Sequence, residues 1–222
     1  MGNVGTGVRF RLRESTGDLH RRLEDRLELA EGEIRDQTYV ATLGGFLGLY
    51  RPIERELSRL DWRGAGLDFE ARRKTPLIEA DLSDFGFDAA ALAKLPLSSR
   101  IPRADTIEDG LGILYVLEGA TLGGQVISRR LAASLGLSPT FGGRFFASYG
   151  ADVGRMWRSY VAVLERSGQT AEAAAAIERA AVDAFRAFDD WFADAANRAH
   201  GISLAQARRS CPDGARRASE AG

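Results

Sequence analysis

The sequence predicts an all-α protein with a single domain, and three observations support this prediction. Apolar residues recur at intervals of three and four positions through most long segments, as they do on one face of an α-helix. No series of short alternating segments separated by turn signals is found, which argues against a β-sheet. The 222 residues suit one domain or at most two, and no linker or internal repeat divides the chain.

The first half of the chain is expected to contain two long helices and a less regular region. The first helix has an apolar stripe of five residues, Leu12, Thr16, Leu19, Leu23 and Leu27. The second helix begins after a capping residue, Asp36, and Pro52 is expected to kink it. Glycine and proline then mark a loop at 62–68 and a break at 96–102, with one or two short helices between them.

The second half is expected to contain three more long helices. An apolar, glycine-rich helix runs from just after Asp105 to about Ala133, and a loop with Pro139 follows. A stripe from Tyr149 to Val163 predicts the next helix, and the last helix spans about 170–199. We expect residues 1–9 to be an N-terminal extension, 10–200 to be the folded domain, and 201–222 to be a polar, disordered tail.

Charge and composition argue against several classes of function. The 30 basic and 31 acidic side chains give a formal charge of -1 and a pI near 6.2, without the basic excess of nucleic-acid-binding proteins. The single cysteine, Cys211, cannot form an intrachain disulfide or a multi-cysteine metal site. The N-terminus lacks a signal-peptide pattern, and Glu118, Gln125 and five glycines interrupt the apolar stretch 110–128. We therefore expect a cytoplasmic protein without a membrane span.

One of the two histidines, His20, lies beside the apolar stripe of the first helix, four positions before Glu24. At this spacing a carboxylate can bind one ring nitrogen and leave the other free to coordinate a metal ion. The alternative is a histidine that only completes the core or the surface of the helix. Since the second histidine is His200, a site built from several histidines is not readily assembled.

The apolar helix contains several interior glycines, each of which costs roughly 0.5–1 kcal/mol relative to alanine. Gly112, Gly119 and Gly123 lie on nearly the same helical face. A face without side chains allows the close approach either of another helix or of a flat ligand with a small molecule bound above it. Gly123 and Gly124 would also let the helix bend over a ligand.

An available histidine on one helix and a glycine-lined face on another describe the two sides of a haem pocket. Haem needs a strong axial nitrogen ligand, and its opposite face must leave room for a diatomic molecule. Its propionates need cations at the mouth of the pocket. The sequence offers five candidates for that purpose, Arg13, Arg21, Arg22, Arg155 and Arg158.

Two segments resemble the haem oxygenase family. The stretch around His20 is similar to the proximal helix motif, and the sequence LEGATLGGQ at 117–125 is similar to the distal helix motif. The resemblance is greatest to the bacterial, biliverdin-producing enzymes found with bacteriophytochromes. It runs from about Phe10 to Ala199 and includes the sequence GRMWR at 154–158. It implies a single-domain, multi-helix bundle of the haem oxygenase type.

The resemblance also implies roles for individual residues. His20 matches the proximal iron ligand, and Glu24 matches the carboxylate that orients it. Gly119 and Gly123 match the distal glycines whose backbone lies over the haem. Further matches are positions that meet the propionates or form the pocket wall, namely Arg13, Tyr115, Arg158 and Phe185.

The sequence departs from the family pattern at two positions. Ala120 stands where the animal enzymes have an aspartate that organises distal water, and Gly17 stands where a basic residue approaches the propionates. We expect ordered water near Ala120 or Thr121 to supply the proton that cleavage of the haem needs. Glu118 is adjacent, and the sequence leaves open whether it faces the pocket.

The implied activity is that of an oxidoreductase for which haem b is both prosthetic group and substrate. Such an enzyme uses O2 and external electrons to convert haem to biliverdin, CO and Fe2+. Since no flavin or nicotinamide site is recognisable, the electrons would come from a separate reductase or a ferredoxin-like protein. The product would supply a bacteriophytochrome with its bilin chromophore, or the reaction would recover iron.

Two alternatives accompany this interpretation. The first is a non-catalytic haem-binding or haem-transfer protein with the same fold, which Ala120 makes conceivable. The second is the related helical fold of thiamine-degrading enzymes. Those enzymes use a cysteine nucleophile in the pocket, whereas Cys211 lies in the expected tail.

Overall fold

The computed structural model is a helical bundle, as the sequence predicts. It describes residues 7–27 and 34–194, and within them no β-strand is present. The helices are Val8–Leu27 (α1), Asp36–Leu57 (α2), Thr75–Asp84 (α3), Ala89–Lys94 (α4), Ile107–Leu135 (α5), Arg144–Ala147 (α6), Val153–Ser167 (α7) and Ala171–Ala193 (α8), with 3-10 helices at Glu70–Arg72 and Gly150–Asp152. The expected tail at 201–222, with Cys211, and the histidine His200 lie outside the described residues.

Helix α5 is the central element, because it packs on α8, α7 and α6, and α8 also packs on α1. A capping box defines its start: the Thr106 hydroxyl accepts the Asp109 N–H, and the Asp109 carboxylate accepts the Thr106 N–H. Its end is Gly136, whose φ of 67° places it in the left-handed region. Helix α5 is the described helix that is long and apolar enough to cross a membrane, and 56% of its apolar window is buried inside the protein.

The start of α2 differs from the expectation. Asp36 was expected to be its cap, but Asp36 is the first helical residue and Arg35 is the N-cap, without a side-chain capping bond. Arg35 is the N-cap because its backbone is extended while its carbonyl accepts the Tyr39 N–H. From the first turn, the Asp36 carboxylate still has a favourable interaction with the helix dipole.

Helix α2 continues through Pro52. Because proline has no N–H, the carbonyl of Gly48 lacks its partner within the helix. The Ser98 N–H donates to this carbonyl at 2.8 Å. The loop after α4 thus satisfies the group that the proline leaves open.

Helix α1 is fixed to its neighbours near both ends. At its start, the backbone N–H groups of Val8 and Arg9 donate to the Glu165 carboxylate of α7, each at 3.0 Å. Near its end, the Arg26 guanidinium binds the Asp189 carboxylate of α8 at 2.8 Å. These contacts hold the histidine-bearing helix against α7 and α8.

The last two helices are close to their predicted positions. Helix α7 begins at Val153, so that Tyr149 precedes it in a turn rather than belonging to it. Thr170 caps α8, since its hydroxyl accepts the Ala173 N–H at 3.1 Å. Helix α8 is described as far as Ala193, and the expected continuation to 199 lies largely outside the described residues.

Candidate functional site

A cavity of about 560 Å³ is lined by α1 and α5, and residues of α2, α6, α7 and α8 complete its walls. Its volume lies within the range of roughly 300–1,000 Å³ that is typical of small-molecule and cofactor sites. All but one of the predicted site residues line it, namely Arg13, His20, Glu24, Tyr115, Gly119, Ala120, Thr121, Gly123 and Phe185. The exception is Arg158, which is exposed on α7, although its neighbour Trp157 is part of the wall.

His20 lies on the α1 side of the cavity. Its Nδ1 is 3.2 Å from Glu24 Oε2, across one turn of the helix. The Phe185 ring contacts the imidazole edge to face, with 5.9 Å between the ring centroids. A proton on Nδ1 that is shared with Glu24 leaves the lone pair of Nε2 free, and no described residue forms a hydrogen bond with that nitrogen.

The glycines of α5 divide into two groups. A side chain at Gly112 would collide with the Ile177 carbonyl oxygen of α8, and one at Gly124 would meet the Phe146 carbonyl oxygen at 2.8 Å. By contrast, a Cβ atom added at Gly119 or Gly123 would meet no atom within 4 Å. Close helix packing therefore explains Gly112 and Gly124, whereas Gly119 and Gly123 face open space in the cavity wall.

Among the predicted arginines, Arg13 is the one best placed to bind an anion. It lines the cavity, and the described residues provide no carboxylate partner for it. Arg21 also lines the cavity but pairs with Asp18. Of the three others, Arg22 pairs with Asp189 and Arg155 with Asp152, and Arg158 is exposed outside the cavity lining.

Tyr115 of α5 interacts with residues of α1, among them Arg13 and Thr16. It lines the cavity and contacts the Trp157 ring, with 5.9 Å between the centroids. Burial raises the pKa of its phenol, although Thr16, Arg9 and Arg13 act in the opposite direction. The hydroxyl is therefore a hydrogen-bond donor near neutral pH.

The inner wall is aromatic, and the sequence analysis did not identify it. Phe46, Tyr50, Phe145 and Phe146 line the cavity there. Their rings pack together, with centroid distances of 5.0 Å for Phe46 to Phe145 and 4.8 Å for Phe145 to Phe146. Phe145 and Phe146 belong to the four-residue helix α6, which has no periodic signal that could have revealed it.

A buried aspartate positions α6. Asp81 of α3 is fully buried and accepts the backbone N–H groups of Arg144 and Phe145 at 3.0 and 2.8 Å. The Arg144 guanidinium pairs with the same carboxylate at 3.1 Å and also with Asp84. These contacts tie the aromatic end of the cavity to α3.

Glu118 does not line the cavity, which answers the question that the sequence left open. It is 1% exposed, and its carboxylate accepts hydrogen bonds from Arg72 and from the Tyr149 hydroxyl, each at 2.5 Å. Burial raises the pKa of Glu118, while Arg72, Lys74 and Tyr149 act against the rise. The carboxylate belongs to a polar cluster behind the glycine face of α5.

Lys74 is a second cavity residue that the sequence analysis missed. It lies next to this cluster, is 2% exposed and lines the cavity. The chain contains only two lysines, Lys74 and Lys94, among its 30 basic residues, which makes the position unusual but does not show that it lies in the cavity.

The residues of the cavity fit a haem. A single nitrogen with a free lone pair, an unpaired cation and a backbone surface without side chains share one largely apolar space. No cluster of three or more histidine, cysteine or acidic side chains that could hold a bare metal ion is found in the part of the chain that the structure describes. Among the described residues, His20 is therefore the side chain that would hold the iron of a haem.

Comparisons with known proteins point to one family. The family model named Heme oxygenase matches residues 8–194. The chain is 34% identical over 150 residues to a heme oxygenase from Xanthomonas campestris pv. campestris, an alignment that covers 66% of this chain and 84% of the relative. It is 31% identical over 122 residues to the heme oxygenase PigA from Pseudomonas aeruginosa, which covers 54% of this chain and 58% of the relative.

Two solved structures share the fold at low sequence identity. A heme oxygenase from Neisseria meningitidis, solved with NO and CO bound, has a TM-score of 0.71 at 19% identity and covers 95% of this chain and 98% of its own. A heme oxygenase from Leptospira interrogans has a TM-score of 0.72 at 20% identity and covers 85% of this chain and 100% of its own. Since the family model spans nearly all described residues, the chain belongs to the heme oxygenase family.

Proposed function

We propose that this protein cleaves haem b, with O2 and external electrons, to biliverdin, CO and Fe2+. The observation that carries the proposal is one cavity lined both by His20, with its free Nε2, and by the bare backbone at Gly119 and Gly123. Both curated relatives bear the name heme oxygenase. The bound haem would supply the iron at which O2 is reduced and the porphyrin ring that is opened.

His20 would hold the iron on the α1 side. Glu24 would keep the imidazole in the tautomer that presents Nε2, and Phe185 would limit rotation of the ring. Gly119 and Gly123 would leave room for a diatomic ligand on the opposite face. Their bare backbone would also limit the directions open to that molecule and would thereby influence where the ring is opened.

The orientation of the haem in its plane would depend on the mouth of the cavity. Arg13, for which the described residues provide no competing carboxylate, would pair with a propionate, and the Tyr115 hydroxyl would donate a hydrogen bond beside it. Arg158 is exposed on α7 and is not among the residues that line the cavity. We therefore assign the main positioning role to Arg13.

The opposite face would also need ordered water. Ala120 and Thr121 line the cavity, and the Thr121 hydroxyl donates to the Glu118 carbonyl at 2.6 Å. This hydroxyl can still accept a hydrogen bond from a water molecule. Ala120 can hold no proton itself, which is the observation that favours a non-catalytic haem carrier as the second candidate.

The resemblance to the bacterial enzymes supports three further proposals. The protein would act in the cytoplasm, and a separate reductase or ferredoxin-like protein would supply its electrons. The biliverdin would pass to a bacteriophytochrome, or the reaction would serve the recovery of iron. A search for bilin bound to a co-expressed bacteriophytochrome distinguishes the supply of bilin from the recovery of iron.

The test is a titration of the purified protein with hemin, followed by ascorbate or a reductase in air. We expect the Soret band to decay while a bilin absorption grows in the red. His20→Ala removes the axial nitrogen and is expected to abolish both haem coordination and turnover. His200→Ala replaces the other histidine of the chain and is the matched control.

Each outcome of this experiment has a defined meaning. Stable haem binding without ring opening in the wild-type protein would contradict the enzymatic proposal and support the carrier. Failure to bind hemin would contradict both functions. Unchanged coordination in His20→Ala would assign the iron to another ligand.

A further inference from the structure

The lysine content of the chain draws attention to one position in the cavity wall. Lys94 is exposed on α4, whereas Lys74 is buried beside the cavity, and every other basic residue is an arginine. Arginine stays charged in proteins, but a buried lysine can release its proton. Among the described residues, Lys74 is thus the buried basic side chain that can exchange a proton near neutral pH.

Lys74 has contacts both at its backbone and at its side-chain nitrogen. Its backbone N–H donates to the Glu54 carboxylate at 2.5 Å. At the other end, Nζ donates to the Arg72 carbonyl at 2.7 Å and lies 3.7 Å from the centroid of the Tyr149 ring. These contacts restrict the rotamers of a side chain that is otherwise flexible.

The Lys74 ammonium group can donate more hydrogen bonds than the described residues accept. Of its three N–H donors, one binds the Arg72 carbonyl and one side is covered by the Tyr149 ring. No carboxylate of the described residues lies within ion-pair distance of Nζ, and no further acceptor is found among them. Because Lys74 lines the cavity, the remaining proton can be bound by a water molecule or a ligand there.

The surroundings favour release of that proton. The pKa of Lys74 is lowered to about 8, because burial, aided by Arg72, outweighs the opposing effect of Glu118 of α5 and Glu54 of α2. Tyr149 stays protonated, since burial and Glu118 raise the pKa of its phenol. Tyr50 on α2 also stays protonated, because burial, Glu54 and Glu118 raise its pKa. An acid whose pKa lies close to the operating pH is well suited to proton donation.

We propose that Lys74 is the internal proton donor of the cavity and supplies the proton that Ala120 cannot. This inference rests on the proposed haem-cleaving function. The Nζ–H bond breaks, the nitrogen keeps the electron pair as a neutral amine, and the proton binds a water oxygen in the space beside Gly119 and Gly123. The amine then regains a proton from solvent through the mouth of the cavity, so that no further reactant is needed.

The first test uses CO as a probe in the reduced, hemin-loaded protein. A positive charge or an N–H donor near the CO oxygen lowers the C–O stretching frequency. We expect the wild-type frequency to rise between pH 6.5 and pH 9.5, as Lys74 loses its charge. Lys74→Met should show the high frequency at both pH values, and Lys74→Arg the low frequency at both, since arginine keeps its charge.

The second test needs no haem turnover and no variant of Lys74. In protein labelled with [ε-13C]lysine only two side-chain signals arise from the two lysines, and Lys94→Met assigns them. We expect the Lys74 signal to titrate near pH 8, as its pKa of about 8 requires. Hemin should broaden the Lys74 signal more than that of Lys94, while a diamagnetic gallium protoporphyrin should broaden neither.

Turnover completes the experiment. Loss of a general acid typically lowers a rate by about 100-fold or more, so Lys74→Met should open the porphyrin about 100-fold more slowly while still binding hemin. Lys94→Met is the matched control and should react at the wild-type rate. Wild-type bilin formation with an unchanged rate in Lys74→Met and a pH-independent CO frequency would overturn the role of Lys74 alone. Absence of bilin from the wild-type protein would instead contradict the proposed function, while the NMR titration would still report on Lys74.

Discussion

Alanine substitutions in α5 should separate glycines that serve helix packing from glycines that serve the cavity. At Gly112 a Cβ atom would lie 2.8 Å from the Ala180 Cβ and would collide with the Ile177 carbonyl. At Gly119 and Gly123 it would enter open space. The same chemical change is therefore expected to have opposite effects on the stability of the haem-free protein.

The magnitudes follow from two competing contributions. Alanine is favoured over glycine inside a helix by about 0.5–1 kcal/mol, and this gain is available at all three positions. Overpacking a core costs about 1–3 kcal/mol, and this cost applies at Gly112 only. We expect Gly119→Ala and Gly123→Ala to raise the free energy of unfolding by about 0.5–1 kcal/mol, and Gly112→Ala to lower it by about 1–2 kcal/mol.

Urea unfolding of the haem-free proteins, followed by circular dichroism, measures these changes if the m-values stay constant. Hemin binding should be weakened more by Gly119→Ala and Gly123→Ala than by Gly112→Ala, because the methyl groups added at 119 and 123 occupy the space of the ligand. Destabilisation by Gly119→Ala as large as that by Gly112→Ala would refute the division of the glycines. So would a Gly112→Ala protein more stable than the wild type.

Three further predictions concern the supports of the cavity. Glu165→Gln weakens the acceptor of the first N–H groups of α1 and should lower the free energy of unfolding by about 1 kcal/mol, with faster amide exchange at the start of α1; unchanged exchange would argue against the cap. Asp81→Ala leaves the first N–H groups of α6 without their acceptor and should cost about 1–3 kcal/mol and weaken hemin binding; wild-type values for both in urea and hemin titrations would contradict the proposed support. Because the pKa of Lys74 is about 8 in the folded protein and 10.5 ordinarily, the unfolded chain binds more protons between these values. Stability should therefore rise from pH 8 to pH 10 by on the order of 2 kcal/mol in the wild type relative to Lys74→Met, and equal pH slopes in urea unfolding would disprove the shift.

The sequence alone predicted the helical fold. It also predicted contacts between residues of the same helix. The periodicity of the apolar residues placed the long helices to within a few residues. The spacing of His20 and Glu24 predicted their contact, because residues four apart on a helix lie on the same face. The resemblance of two short motifs identified the family that the comparison later showed.

Only the tertiary structure shows which distant segment packs against each residue. Gly112 and Gly123 are equivalent in the sequence pattern, and only the position of α8 gives one a helix and the other open space as its neighbour. Likewise, nothing near Lys74 in the chain shows that it shares a cavity with residues from α1 and α5. Helical periodicity determines which side chains share a face, but it contains no information on which distant segment covers that face. That information arises only when the whole core packs, and the contents of the cavity wall depend on it.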